Sequence, residues 1–410
     1  MIRRVVALLA LATCPCRGSV AAATSLTLDD ALARARTGHP TVRVAAAELD
    51  AARARLDQAG MIPANPVVSV ELARHTEPGN VGIDRGVALS QEVEVGGQGA
   101  LRVAAARHDV TRAELTLADR LRVVDAEVRR AFAGVEAADR RYVLATESAG
   151  LSTRLADAAT RRARAGDVGA LDVELAHVET VRATQAVAAA EFDRARAKAR
   201  LATAIAADPG DVLGVAGVRD RVPPPPSESV LVDRALRARP DLAAAQAQMA
   251  RFGAEADLTA RRGRITNPVL RGFYRQERLN ERIVGGEIAI PLPVWNREQG
   301  ATMALRAEAA AAGAEIERLR REIPREVHLA LVRWHAAAEA ETRYERDALP
   351  AVRSARDLIE RSYDGGYLGL PEVLAQRGRL LDVQGAAIAA WLDLREAEAD
   401  LREAVGEAAS

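Results

Sequence analysis

Apolar and polar residues follow two different periods along this chain, and the period changes twice. From Thr27 to Thr37 and from Pro40 to about Ala59 the spacing is helical. Thr27 offers a capping oxygen, Asp29 and Asp30 fall in the first turn, Pro40 suits a first helical position and Gly60 a stop. After Asn65-Pro66 the period drops to two. Val68, Val70 and Leu72 alternate with Ser69, Glu71 and Ala73, a turn follows at Glu77-Pro78-Gly79-Asn80, and Val87, Leu89, Gln91, Val93 and Val95 alternate with Ala88, Ser90, Glu92 and Glu94. This predicts a β-hairpin over 66–95. A second one is predicted over 268–292, with Ile288, Ile290 and Leu292 on one face.

Each hairpin precedes a very long helical stretch. Gln98 to Ala165 contains no proline, and at ~1.5 Å per residue it would run about 100 Å if continuous. Leu117, Leu121, Val124, Val128, Ala131, Val135, Ala138 and Tyr142 give it the alternating four-three steps of a coiled-coil seam. A break at Gly166–Gly169 leads to a returning helix to about Ala206. The second half repeats the plan from about Arg297 to Tyr363 and from Leu370 to Val405. In the last helix Val373, Leu380, Ala387, Leu394 and Leu401 lie seven apart. Pro324, inside the third long segment, predicts a kink.

The halves are copies. Gly166 matches Gly366 and His39-Pro40 matches Arg239-Pro240, both at an offset of 200. Asn65-Pro66 matches Asn267-Pro268, Gln98-Gly99 matches Gln299-Gly300 and Glu127-Val128 matches Glu326-Val327, with offsets between 199 and 202. Five ordered pairs require a duplicated unit far longer than the ~20–50 residues of a solenoid repeat. The expected organisation is a first repeat over 24–207, a linker over 208–227 that ends in Pro223–Pro226, and a second repeat over 228–410.

Composition narrows the class. Aromatic residues make up 3% of the chain while hydrophobic residues make up 49%, so much of the apolar content is alanine, suited to closely packed long helices. Lys+Arg and Asp+Glu are equal at 57, which leaves no basic excess for nucleic acid. Arg3 and Arg4, the apolar run Val5–Ala12 and Ala21-Ala22-Ala23 predict a signal peptide over 1–23. Both cysteines, Cys14 and Cys16, fall within it, and Thr13 argues against a lipid anchor at Cys14. The six histidines form no metal motif; His328 and His335 are seven apart rather than four. No nucleophile triad, phosphate loop or paired carboxylate suggests an enzyme, and no cofactor is expected.

Four strands cannot close a membrane barrel alone, because the smallest single-chain barrels need about eight. Either other copies share the sheet, or the strands pack on something soluble in a periplasmic coiled-coil scaffold. The duplicated pattern resembles the TolC-type outer-membrane efflux proteins across nearly all of the mature chain. Gln91-Glu92-Val93-Glu94-Val95-Gly96-Gly97 and Ile290-Pro291-Leu292-Pro293-Val294-Trp295-Asn296-Arg297 are similar to that family's strand-to-helix junctions. The Asn-Pro pairs and the Gly-Gly junction are most similar to its heavy-metal (CzcC-type) branch.

The resemblance implies a mainly α fold with a small β part. It implies a homotrimer with long coiled-coil helices forming an α-barrel tunnel and a shared twelve-stranded transmembrane β-barrel. Such a trimer is the exit duct of a tripartite pump in the outer membrane, surrounded by its lipid. Its helices lie in the periplasm, where an adaptor protein joins it to an inner-membrane, proton-driven transporter. The cargo would be metal ions or small toxic compounds, with type I protein secretion as the alternative. The resemblance makes two tips the adaptor contacts: Gly166, Asp167, Val168 and Gly169 in the first half, and Gly365, Gly366, Tyr367, Leu368 and Gly369 in the second. It makes Glu372, with its counterpart Asp172, an entrance gate, where carboxylates around an axis would attract cations. The family's second acidic position is Ala375 here. The competing reading of Glu372 is an ordinary helix charge.

Overall fold

The computed structural model describes residues 26–78, 80–208, 214–217, 223–277 and 281–406. The expected signal peptide, with Cys14 and Cys16, lies outside them. Each half contributes a short helix, a second helix, a strand pair and a long helix that turns and returns. In the first half these are α1 (Leu28–Gly38), α2 (Pro40–Ala59), β1 (Val67–Glu77), β2 (Asn80–Glu92), α3 (Gln98–Ala165) and α4 (Ala170–Ala204). In the second they are α5 (Glu228–Ala238), α6 (Pro240–Arg262), β3 (Val269–Gln276), β4 (Arg282–Ala289), α7 (Gln299–Arg343), α8 (Leu349–Asp364) and α9 (Leu370–Val405). The fold is mainly helical with one small sheet.

Local chemistry sets the helix ends. The Thr27 hydroxyl accepts a hydrogen bond from the Asp30 amide at 3.2 Å, and Pro40 opens α2 directly behind His39, whose Nδ1 accepts from the Thr41 amide at 3.3 Å. The duplication extends to backbone angles. His39 and Arg239 share an extended conformation, with φ −61° and −67°. Gly97 and Glu298 both enter the long helices left-handed, with φ 67° and 57°. Gly166 and Gly366 both turn left-handed at the far ends, with φ 85° and 74°.

The core is duplicated as well. Leu32, Val42, Val124, Val128, Phe132, Val135, Leu201 and Ile205 form one buried cluster where α1, α2, α3 and α4 meet. Leu242, Ile323, Val327, Leu331, Trp334, Leu401 and Val405 form its counterpart in the second half. Trp391 on α9 joins the halves by packing on Ala133 and Ala137 of α3. The helices form a wall rather than a globule: α2 packs on α3, α3 on α6 and α6 on α7, while nearer the tips α4 packs on α3 and α3 on α9. Small seam residues allow this. Ala387, Ala390, Ala397 and Ala404 are all buried along α9.

Three local features refine or correct the expectations. The helical assignment of α7 continues through Pro324, the position where a kink is expected. Ile323 and Val327 are fully buried on either side, and Arg320, whose carbonyl loses its partner, is exposed. The α pattern itself gives way at Tyr344–Ala348, a π turn just before Pro350. Pro350 has no N–H to offer the Arg346 carbonyl, and its ring crowds that oxygen. Second, β2 ends at Glu92 rather than Val95, and β4 at Ala289 rather than Leu292. Pro291 and Pro293 cannot donate to a ladder. Third, the expected linker contributes one isolated bridge. Val215 forms a parallel bridge with Leu26, through Leu26 N–H to the Gly214 carbonyl at 3.0 Å and Ala216 N–H to the Leu26 carbonyl at 2.9 Å.

Candidate functional site

The four strands form one antiparallel sheet in the order β1-β2-β3-β4, so the central β2–β3 pairing joins the two repeats. The register sorts most side chains between two faces. Val68, Val70 and Leu72 share one face with Val87 and Leu89, with Leu270 and Tyr274, and with Val284 and Ile288. All of these are exposed; Arg85, Gln276 and Arg282 share this face in the row of Leu72, and Gln91 beside Leu270. The opposite face is polar. Arg275 meets Glu71 at 3.1 Å and Arg271 meets Glu287 at 3.5 Å; Ser69, Ala88 and Ser90 lie on it, with Val67, Val269 and Ile283 among them. Phe273 also lies on this side, over Gly285, where a Cβ would come within 2.5 Å of its ring. The outer edges of β1 and β4 are unpaired among the described residues. The sheet therefore has a mainly apolar face, a face crossed by ion pairs and two free edges.

Polar clamps couple sheet to wall. Arg102 on α3 bridges the Glu94 carboxylate at 2.5 Å and donates to the carbonyls of Ala59 at 2.9 Å and Met61 at 3.1 Å. Gln98, 1% exposed, donates to the Ile265 carbonyl at 2.7 Å, and Asn267 donates to Glu92 at 2.7 Å. The two Glu residues of the first junction are thus structural. The second half has its own clamp. Arg239, 5% exposed, binds Asp241 and Glu326 and donates to the Ala404 carbonyl. Burial pushes the Asp241 carboxyl up, but the hydrogen bond and charge of Arg239, helped by the Leu242 amide, outweigh it and hold it below the ordinary carboxylate range.

At the far end both helical hairpins turn by the same device. The Gly166 amide reaches the Ala163 carbonyl and the Asp167 amide the Arg162 carbonyl, at 3.1 and 2.9 Å. Gly366 and Tyr367 repeat this on Tyr363 and Ser362, again at 3.1 and 2.9 Å. These are Schellman turns that require a left-handed residue. Leu368 and Leu370 pack with Tyr363, Val373, Ala159 and Ala176 into a cluster that ties the two tips side by side. Gly166, Asp167, Gly169, Gly365, Gly366, Gly369 and Tyr367 are exposed, Tyr367 at 88%, and Val168 is half-buried. The structure brings the expected tip residues to one end of the molecule.

Glu372 and Asp172 occupy the same place in their helices, three residues beyond the capping glycines Gly369 and Gly169. Glu372 is exposed, and its carboxylate folds back so that Oε2 would lie 2.5 Å from a Cβ on Gly369. There it meets the positive end of the α9 dipole. Asp172 is half-buried.

Sequence reasoning missed two features near the tips and the sheet. Arg377 on α9 donates to the Ser148 carbonyl at 3.1 Å and lies 3.4 Å from the Ser152 hydroxyl on α3, crossing between the halves. Burial pushes its pKa down. The Glu71–Arg275 and Arg271–Glu287 pairs were also missed, although the period of two that predicted the strands places all four residues on the polar face. Among the described residues no group of three or more His, Asp or Glu is arranged to hold a metal, and no helix is long and apolar enough to cross a membrane. His328 is occupied by Glu228, at 3.1 Å.

An open sheet with one apolar and one charged face, mounted on a wall of long helices, defines a channel-type membrane protein. The chain belongs to the outer membrane efflux protein family, whose profile matches it twice, over residues 31–207 and 231–407. It is therefore an outer-membrane protein. It is 29% identical over 359 residues to the cobalt-zinc-cadmium resistance protein CzcC of Cupriavidus metallidurans, covering 87% of this chain and 84% of that one. Its fold is similar to the outer membrane protein VceC of Vibrio cholerae, with a TM-score of 0.74, 16% identity and coverage of 92% of this chain and 96% of that one. It is similarly close to CusC, with a TM-score of 0.75, 15% identity and coverage of 93% and 92%.

Proposed function

We propose that three copies of this chain assemble into the exit duct of a tripartite efflux pump. The observation that carries this reading is the sheet. Its apolar face suits lipid, its charged face suits a water-filled lumen, and its two free edges call for neighbours on both sides. Closing β4 of each copy on β1 of the next gives twelve strands with no edge left in lipid. The helical walls close beneath it into a periplasmic tunnel. The exposed tip turns at Gly166–Gly169 and Gly365–Gly369 then dock a periplasmic adaptor, which connects the duct to an inner-membrane, proton-driven transporter. The chain acts passively, as a conduit and not an enzyme. Similarity to a cobalt-zinc-cadmium resistance protein supports metal ions as cargo.

In this arrangement Glu372 stands at the tunnel entrance, where three carboxylates raise the local cation concentration. The test is ion selectivity of the reconstituted channel in planar bilayers. Glu372→Gln lowers cation selectivity, Glu372→Arg shifts it towards anions, and Asp172→Asn has the smaller effect. Unchanged selectivity in Glu372→Arg would show that this carboxylate serves only its own helix end.

A further inference from the structure

Directly below the strands the chain exposes a band that a duct does not require. Between β4 and α7, Ile290, Leu292, Val294 and Trp295 all stand in the open, with Trp295 89% exposed. The segment joining α6 to β3 lies against this one. The Thr266 hydroxyl donates to the Pro291 carbonyl, and a Cβ on Gly263 would sit 1.9 Å from the Arg297 carbonyl oxygen. That contact gathers Arg261, Arg262, Arg264 and Arg297, all exposed. None of the four forms an ion pair among the described residues.

We propose that this band is a docking surface for anionic lipid headgroups in the leaflet on the helical side of the sheet. The inference rests on the membrane reading of the sheet above. Its height supports it, because β3 begins at Val269 and β4 ends at Ala289, so the band starts where the apolar strand face stops. Arginine stems lie along apolar surface while their guanidiniums reach phosphate, and an indole belongs at the same boundary. The other candidate occupant is a second copy. Antiparallel closure of β4 on a neighbour's β1 would lay residues 290–297 beside residues 60–67 of that copy. Residues 60–67 read Gly-Met-Ile-Pro-Ala-Asn-Pro-Val and contain no carboxylate, so they cannot neutralise four arginines. Lipid phosphate can.

Fluorescence quenching tests the proposal. Of the three tryptophans, Trp334 and Trp391 are buried, so quenching by brominated lipid reports Trp295. The full chain is reconstituted into phosphatidylcholine vesicles containing a small fraction of brominated phosphatidylglycerol or brominated phosphatidylcholine. Wild type is quenched more by the anionic lipid, and high salt reduces the difference. Trp295→Phe loses most of the quenching. Each arginine at an anionic surface is worth up to about fivefold in lipid preference, so R261Q, R262Q and R264Q singly lower the preference in steps and together abolish it. Equal quenching by both lipids, or a preference retained in the triple variant, overturns the headgroup site while leaving the membrane reading intact. An inserted chain with no quenching by either lipid shows Trp295 covered by a second copy, which also overturns it. A chain that stays in the aqueous fraction with wild-type sequence overturns the membrane reading itself.

Discussion

Gly60 and Gly263 end the equivalent helices α2 and α6, and they have nearly the same backbone, φ −77° and −70°. Neither needs a left-handed conformation, so alanine is conformationally acceptable at both. Their surroundings differ. A Cβ on Gly60 meets only its own Asp57 carbonyl, at 3.5 Å. A Cβ on Gly263 would lie 1.9 Å from the Arg297 carbonyl oxygen and 2.4 Å from its carbon, both backbone atoms that cannot rotate away. Gly60→Ala should therefore be neutral or stabilise by about 0.4–1 kcal/mol through the unfolded chain. Gly263→Ala must push the 290–297 segment off α6, an overpacking cost of about 1–3 kcal/mol or more. The two variants should differ by about 3 kcal/mol. With an unfolding entropy of roughly 2 cal/mol/K per residue, that separates their melting temperatures by about 3–4 °C if the chain unfolds cooperatively. Melting followed by circular dichroism in detergent measures it. Equal melting temperatures for the two variants would refute the steric argument and the close approach of the second junction to α6.

Arg239→Met should cost about 3–5 kcal/mol, because it leaves the Asp241 carboxylate without its partner. The same clamp sets a pH dependence. The folded carboxyl of Asp241 is held low, so its contribution is complete above the ordinary value of about 4 and is lost as pH falls through the depressed one; acid titration of wild type against Arg239→Met should show the difference shrinking there. Gly285→Val should drive the Phe273 ring off its seat, lowering single-channel conductance while leaving the melting temperature nearly unchanged. Gly166→Val and Gly366→Val each force a β-branched residue into a left-handed turn at a strain of about 1–2 kcal/mol. Assembly, read by mass, should survive, whereas pull-down of the adaptor and efflux in cells should fail.

Much of this fold was legible because duplication writes each signal twice. The Pro40 and Pro240 helix starts, the long helices beginning at Gln98 and Gln299 and the glycine turns at Gly166 and Gly366 are backbone requirements with short, strong local signatures. The strand faces were legible for a similar reason, since a period of two cannot be helical. What remained hidden depends in part on distant partners. Pro324 was marked and Pro350 passed over, although a proline inside a helical stretch is the same signal at both places and the π turn lies beside Pro350. Strand ends were overrun because Ile290 and Leu292 keep the alternation after Pro291 and Pro293 have ended the ladder. Arg377 reaches Ser148 from more than two hundred residues away, and no local pattern encodes such a contact. Glu372 was singled out by the family resemblance, and its fold over the α9 terminus emerged only from the structure.

The central claim is that the free edges of β1 and β4 meet between copies and close into a ring of three. The direct measurement places one cysteine on each edge strand of the mature chain, oxidises the detergent-solubilised protein and weighs the products under denaturing conditions. The account predicts covalent species of two and three chains and none larger, with a particle mass of three chains before denaturation. A soluble monomer that forms no cross-link, or a ladder extending past three chains, would contradict it.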